Sequence, residues 1–394
     1  MRFSSRIPTD WTPSPWSTAA DRLRSPERIG KPFIDLTISS PLAAGIRWDS
    51  ETLFAALAKE QPWCNWKPDA RGSQMVREAL CLYEASRGFA CAADEFLLAS
   101  STSEAYSILF RAFCDPHDSI LVPRPGYPLL DVLAGFDFLE CVGYDLQINE
   151  RGAWRIDFAS LRAAPESTRM VLVVNPNNPT GSMLSPEEWG ELGELCAERK
   201  WSLVVDEVFS DYISEELPQP PWRDLAQKIP IFRLHGLSKC VGLPQLKLAW
   251  IWVGCPDGDR HAIDNALEFV ADAYLSLSAL PEALAPTLLE QQGTFRQRVQ
   301  ERISTNWKIA ESRLFPIVDI LTKPLGGWYV CLRKEGIDDE EFSVGLANES
   351  ATLIQPGYFF DFAEDGWLVI SLLAQPEVFS QGIHCLAERL LAVE

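Results

Sequence analysis

The stretch Asn175-Pro176-Asn177-Asn178-Pro179-Thr180-Gly181 follows a short apolar run at 169–175 and combines two Asn-Pro pairs with a glycine. Asparagine, proline and glycine each restrict or permit particular turn conformations, so together they fix the path of a loop. A plain turn does not need that much constraint. The sequence therefore predicts a rigid, shaped loop at the end of a buried strand.

On both sides of this loop, short apolar runs alternate with stretches of helical spacing. Short apolar runs are typical of strands buried on both faces, and strands separated by helices favour a mainly parallel α/β sheet. The predicted strands are 96–99, 119–123, 138–144, 169–175, 201–206, 231–234 and 248–253, and the predicted helices are 74–87, 104–113 and 185–199. The last helix opens with Ser185-Pro186-Glu187-Glu188, the pattern of a capping box with proline at the first helical position.

The chain changes character after a long helical stretch at 281–314. Strand-like runs at 328–332, 351–354 and 367–372 and a closing helix at 376–391 predict a smaller α+β domain. The first 30 or so residues are rich in proline, serine and arginine and are expected to form an arm. We therefore divide the chain into 1–48, an arm with part of the small domain; 49–300, the large domain; and 301–394, the small domain.

Composition excludes several classes of partner. The net charge of −20 over 394 residues argues against nucleic acid and against an anionic membrane surface, because both select lysine and arginine. There is no long apolar run of a transmembrane helix and no apolar core of a secretory signal at the start. Ten cysteines without a CxxC pair and four dispersed histidines predict a cytoplasmic protein with free thiols and no metal site.

Four polar features fall at or near the ends of predicted strands, where open α/β sheets bind ligands. Small hydroxyl residues at a helix start suit a phosphate, although they are also ordinary helix caps. An acid at the mouth of an apolar strand is either a partnered buried charge or a functional group. A lysine in such a place can have a lowered pKa and act as a Schiff-base amine, although most lysines are solvated. The features are Ser100–Ser103, Asn175–Gly181, Asp206-Glu207 and Gly236-Leu237-Ser238-Lys239.

Taken in this order, the motifs NPNNPTG, VVDEVF and GLSK resemble those of the class I/II aminotransferases. These are fold-type-I enzymes that use pyridoxal 5′-phosphate (PLP), with a mainly parallel large domain and a smaller α+β domain. The resemblance spans roughly residues 33–392 and includes Pro125-Gly126-Tyr127-Pro128, Gly326-Gly327-Trp328-Tyr329 and Gln355-Pro356-Gly357.

The resemblance implies a role for each matching residue. Lys239 is expected to hold PLP as a Schiff base and to shuttle the substrate proton, and Asp206 to keep the pyridine nitrogen protonated. Asn178 would donate to the ring hydroxyl oxygen, and Tyr127 would stack on the ring. Around the phosphate, the expected contacts are Ser101, Thr102, Ser103, Ser238 and Lys247. The family also implies a homodimer and a cis bond between Asn178 and Pro179.

The chain departs from the family pattern at five positions. Around the cofactor, Gly236 replaces a serine or threonine, Lys247 an arginine and Phe209 a tyrosine, while Trp66 replaces the tyrosine that reaches the partner subunit. In the small domain, Val369 replaces the arginine that grips the substrate α-carboxylate. A valine at the pocket wall favours a substrate whose carboxylate is absent, modified or placed elsewhere, unless Arg47 or an arginine of the arm takes over.

The resulting prediction is a transaminase that acts on small-molecule amine and carbonyl compounds, with a specialised biosynthetic substrate. Another fold-type-I enzyme, a lyase, cyclase or decarboxylase, is the nearest alternative, because the same lysine and aspartate serve all of them. A third hypothesis is a non-catalytic protein that senses a ligand. The sequence does not identify the substrate or the pathway.

Overall fold

The computed structural model describes residues 3–25, 32–62, 64, 67–149, 152–214 and 218–393. Within them, the helices are α1 (Pro15–Arg24), α2 (Ser50–Glu60), α3 (Gln74–Ser86), α4 (Thr102–Phe113), α5 (Leu129–Phe136), α6 (Phe158–Arg162), α7 (Pro186–Arg199), α8 (Trp222–Ala226), α9 (Leu237–Cys240), α10 (Arg260–Asp272), α11 (Ala279–Leu314), α12 (Asp339–Ser350) and α13 (Pro376–Leu391). No described helix is both long and apolar enough to cross a membrane.

The strands form three sheets. They are β1 (Ile34–Asp35), β2 (Phe96–Ala99), β3 (Ser119–Arg124), β4 (Glu140–Ile148), β5 (Trp154–Ile156), β6 (Thr168–Val174), β7 (Ser202–Asp206), β8 (Ile231–Gly236), β9 (Ala249–Gly254), β10 (Ile320–Leu321), β11 (Tyr329–Arg333), β12 (Thr352–Leu353), β13 (Gln355–Pro356) and β14 (Trp367–Ser371). The eight-stranded sheet has the order β2-β9-β8-β7-β6-β3-β4-β5, and the four-stranded sheet has the order β10-β11-β14-β13. β1 pairs with β12 alone.

The strands β4, β3, β6, β7 and β8 run parallel to one another. At one end of the sheet β5 pairs antiparallel with β4. At the other end β9 pairs antiparallel with β8, and β2 pairs antiparallel with β9 and so has the direction of the central strands. Apolar side chains alternate along the central strands, so that Val205 packs on the side of α3 and α11 while Val204 packs on the side of α4 and α10. The prediction of an α/β fold with a mainly parallel sheet is confirmed.

The helix starts follow local sequence chemistry. Ser185 accepts a hydrogen bond from the Glu188 N–H, and the Glu188 carboxylate accepts one from the Ser185 N–H. This is the capping box that the sequence predicts. The N-terminal segment contains a helix, α1, that the sequence analysis did not predict and that buries Trp16 and Leu23 against α12. The segment is rich in polar residues, so its short apolar face was not recognised in the sequence.

Candidate active site

The loops after β6, β7 and β8 meet at one edge of the eight-stranded sheet, because neighbouring parallel strands end on the same side. Val174 pairs with Asp206 in register, so the loop containing Asn178 leaves the sheet beside that carboxylate. A cleft of about 330 Å³ opens there. Six of the predicted site residues line it together: Thr102, Tyr127, Asn178, Asp206, Ser238 and Lys239.

Lys239 lies in the short helix α9, directly after β8. Its backbone carbonyl accepts a hydrogen bond from the Tyr212 hydroxyl at 2.7 Å, and its Nζ donates to the Ser39 carbonyl at 3.0 Å. Loss of hydration inside the cleft lowers the pKa of Lys239 to about 8, although the Asp206 carboxylate acts in the opposite direction. Near neutral pH a larger fraction of the molecules therefore carries the neutral amine, the nucleophilic form, than for a solvated lysine.

Asp206 ends β7 with a buried side chain. One carboxylate oxygen accepts from the Tyr106 hydroxyl at 2.9 Å, and the other accepts from the Val208 N–H at 3.0 Å. Burial raises the pKa of Asp206, and these two hydrogen bonds oppose that rise because they favour the ionised form. Tyr106 comes from α4, and no motif in the sequence pointed to it.

The Asn178 loop is held from within. Asn177 donates from Nδ2 to the Pro125 carbonyl at 3.2 Å and to the Thr180 hydroxyl at 2.9 Å. Asn178 thus projects into the cleft, where its Oδ1 is buried without a hydrogen-bond partner among the described residues. The bond between Asn178 and Pro179 is cis, as predicted.

The predicted phosphate contacts separate into two groups. Thr102 and Ser238 line the cleft, whereas the Ser101 hydroxyl caps α4 by accepting from the Glu104 N–H at 3.1 Å. Ser103 follows in the first turn of α4. Lys247 lines a different cavity of about 460 Å³.

The remaining lining of the cleft includes aromatic rings and uncharged polar groups, of which the sequence analysis had placed only Phe209 beside the cofactor. They are Ser39, Phe209, Tyr329, Gln355, Phe359 and Phe360. Burial raises the pKa of Tyr329 to about 12, which keeps its phenol neutral. Tyr329 and Gln355 belong to the motifs Gly326–Tyr329 and Gln355–Gly357. The sequence does not show which strands pair, so it did not place these motifs at the cleft.

The expected place of Val369 was wrong. Val369 is fully buried in an apolar cluster with Trp328 and Phe360 and is not among the described residues that line the cleft. Other members of that cluster, Phe209, Tyr329 and Phe360, line the cleft instead. Arg47, the proposed substitute cation, is exposed and does not line the cleft either.

Comparisons with known proteins agree with this geometry. Residues 31–379 match the family described as "Aminotransferase class I and II". A tyrosine aminotransferase of Dictyostelium discoideum is 28% identical over 351 residues, which are 84% of this chain and 82% of that protein. An S-alkyl-thiohydroximate lyase of Arabidopsis thaliana is 27% identical over 276 residues, which are 67% of this chain and 59% of that protein.

Among solved structures, an alanine aminotransferase from Pyrococcus furiosus superposes with a TM-score of 0.86 at 22% identity, covering 99% of this chain and 100% of that one. At this identity the likeness shows the fold. The family match covers most of the chain and includes every strand that forms the cleft. The chain therefore belongs to the class I and II aminotransferase family and is a transaminase.

Proposed function

We propose that the cleft binds PLP and that the protein transfers an amino group between a small-molecule amine and a carbonyl acceptor. The observation that carries this proposal is that one cleft holds both a lysine amine whose pKa is lowered to about 8 and the buried carboxylate of Asp206. The unpartnered Asn178 Oδ1 supports the fit, because its amide can turn to donate to a ring oxygen.

PLP, when bound, supplies the electron sink that the reaction needs. Lys239 Nζ would hold it covalently and then carry the proton at the substrate Cα. Asp206 would hold a proton at the pyridine nitrogen, and the hydrogen bonds from Tyr106 and Val208 favour the ionised form of the carboxylate that this requires.

The remaining residues would orient the group. The Tyr127 ring would cover one face, and Thr102 and Ser238 would donate to the phosphate from the start of α4 and from α9. Backbone N–H groups at the start of α4, where Ser101 and Ser103 lie, add donors and the favourable end of the helix dipole. Contact of Lys247 with the phosphate stays a prediction.

A lyase was the nearest alternative in the sequence analysis, and an S-alkyl-thiohydroximate lyase is among the relatives, so the proposal is tested against that reaction. One experiment separates the two. The PLP-loaded protein is mixed with a panel of amine donors without acceptor, and absorbance is followed from about 420 nm toward about 330 nm. A transaminase accumulates the amine form of the cofactor. Product release without that change would indicate the lyase.

We further propose a homodimer. Trp66, the residue that prompted this prediction, lies outside the described residues, but exposed apolar side chains on and beside α2, α10 and α11 support it: Phe54, Phe269, Leu275 and Leu280. Leu275 and Leu280 share a cavity with Lys247, so a second copy would close it. Sedimentation of the loaded protein tests this, and a stable, active monomer would contradict it.

A cytoplasmic location and the division into domains 1–48, 49–300 and 301–394 also remain proposals. All ten cysteines are free, which agrees with a reducing compartment. The pairing of β1 with β12 supports a small domain that includes part of the N-terminal segment.

A further inference from the structure

Gln355 and Val369 lie directly opposite each other on the antiparallel strands β13 and β14. Residues opposed in this way place their side chains on the same face of the sheet. Val369 is covered by the aromatic cluster, whereas Gln355 reaches the cleft. Beside the buried Val369, the cleft thus presents the amide of Gln355.

The Gln355 amide is available to a ligand. Its Oε1 is buried and has no hydrogen-bond partner among the described residues. A buried polar atom without a partner is unfavourable, and a bound molecule that satisfies it gains affinity and selectivity. An amide carries no charge and offers both donors and an acceptor, so its natural partner is another uncharged polar group.

The groups around Gln355 are also uncharged. Ser39 lies against the reacting amine, because its carbonyl accepts from Lys239 Nζ, and Tyr329 adds a neutral phenol. The charged side chains among the described lining residues are Asp206 and Lys239, and both are committed to the cofactor in the proposed function. The cleft of one chain thus offers no cation to a substrate carboxylate.

We propose that Gln355 determines specificity by hydrogen-bonding an uncharged polar group, an amide above all, on an amine substrate with an aromatic or apolar body. The rings of Phe209, Phe359 and Phe360 would pack against that body. This inference rests on the proposed function, and it adds the substrate class and the residue that selects it.

The test compares three donors in the half-reaction of the PLP-loaded, full-length protein: phenylalaninamide, phenylalanine and 2-phenylethylamine. We expect kcat/KM for the amide to exceed that for the free acid by about tenfold or more. Gln355→Leu should lower the amide value by about tenfold, the effect of one lost hydrogen bond in a buried site, and change the value for 2-phenylethylamine by less than about twofold. Gln355→Arg should raise turnover of the free acid.

Gln297→Leu, on the exposed face of α11, is the matched control and should change none of the three values. A preference of the wild type for free phenylalanine would overturn the inference, and so would an equal loss with all three donors in Gln355→Leu. In both cases transamination itself would stand. Absence of any spectral change with every donor would instead contradict the proposed function.

Discussion

Asp206 and Glu207 are consecutive residues, yet they serve opposite faces of the eight-stranded sheet. Asp206 faces α4, where it accepts from the neutral hydroxyl of Tyr106. Glu207 faces the side of α3, where it accepts from the Arg233 guanidinium at 2.6 Å. Both carboxylates are buried, so burial alone does not distinguish them.

On the α3 side the buried carboxylates of Glu84, Glu207 and Asp211 each have a close basic partner. Arg233 also donates to Glu84 at 3.0 Å, and His235 contacts Asp211 at 3.0 Å. Burial acts to raise the pKa of Glu84, but the attraction of Arg233 outweighs it and the net shift is downward. For Asp211 the hydrogen bond with His235 and the charge of Arg87 likewise outweigh burial and lower the pKa. The carboxylates of Glu84 and Asp211 therefore stay ionised.

In the cleft the shifts run the other way. Burial raises the pKa of Asp206 and lowers that of Lys239, because neither has a close partner of opposite charge that offsets its lost hydration. For these ionisable side chains, the presence of a partner of opposite charge, rather than the degree of burial, separates the structural groups from the reactive ones. The unpaired groups are those expected to do chemistry.

The largest effect is expected for Lys239→Ala. Removing the amine should abolish the borohydride-trapped PLP adduct and lower activity by about a thousandfold or more, since both the covalent attachment and the proton carrier are lost. Peptide mapping after reduction checks the site. Lys228→Ala, at an exposed lysine, is the control and should retain the adduct. An adduct that persists in Lys239→Ala would break the assignment.

Next in size is Arg233→Met. It leaves Glu84 and Glu207 buried without their shared cation, and we expect a loss of about 3–5 kcal/mol in the free energy of unfolding. Denaturant titration measures it. Arg162→Met removes an exposed ion pair with Glu191 and should cost less than about 1 kcal/mol. Equal losses in the two variants would mean that the buried network has no special role.

The comparison also predicts a pH dependence for the cofactor-free protein. The pKa of Lys239 is lower in the folded than in the unfolded state. Below about pH 8 the amine is protonated in both states, so folding buries a charge and the folded state is less stable. Lys239→Met should therefore be more stable than wild type by about 2 kcal/mol at pH 7. The gain should shrink as the pH rises from about 8 toward 10, as thermal unfolding across that range can show. A gain independent of pH would contradict it.

The smallest effect is expected for Tyr106→Phe. It removes one donor that favours ionised Asp206, at a cost of roughly 1–2 kcal/mol, which corresponds to about five- to thirtyfold weaker PLP binding. Tyr144→Phe is the same truncation at a buried tyrosine that donates to the Leu172 carbonyl at 3.0 Å, outside the cleft. Its affinity for PLP should not change. If the two variants bind PLP equally well, Tyr106 does not support Asp206.

The sequence by itself determined the sheet and the reactive end of the cleft. Apolar runs such as Val171–Val174 and Val204–Val205 are buried on both faces, and short runs of this kind are typical of central strands. Parallel strands end on one side, so Asn178, Asp206 and Lys239 had to converge once those strands were recognised. The capping box at Ser185 is equally local, because its donors and acceptors lie within one helical turn.

Only the tertiary structure decided the substrate end. Ser39, Gln355 and Phe360 come from segments far apart in the chain, and their convergence depends on how the four-stranded sheet and the segment after β1 pack over the larger sheet. The covering of Val369 and the contact of Tyr106 with Asp206 depend on the same packing. Residue type and spacing define local hydrogen bonds and strand ends, but contacts between distant segments are set by the packing of whole elements.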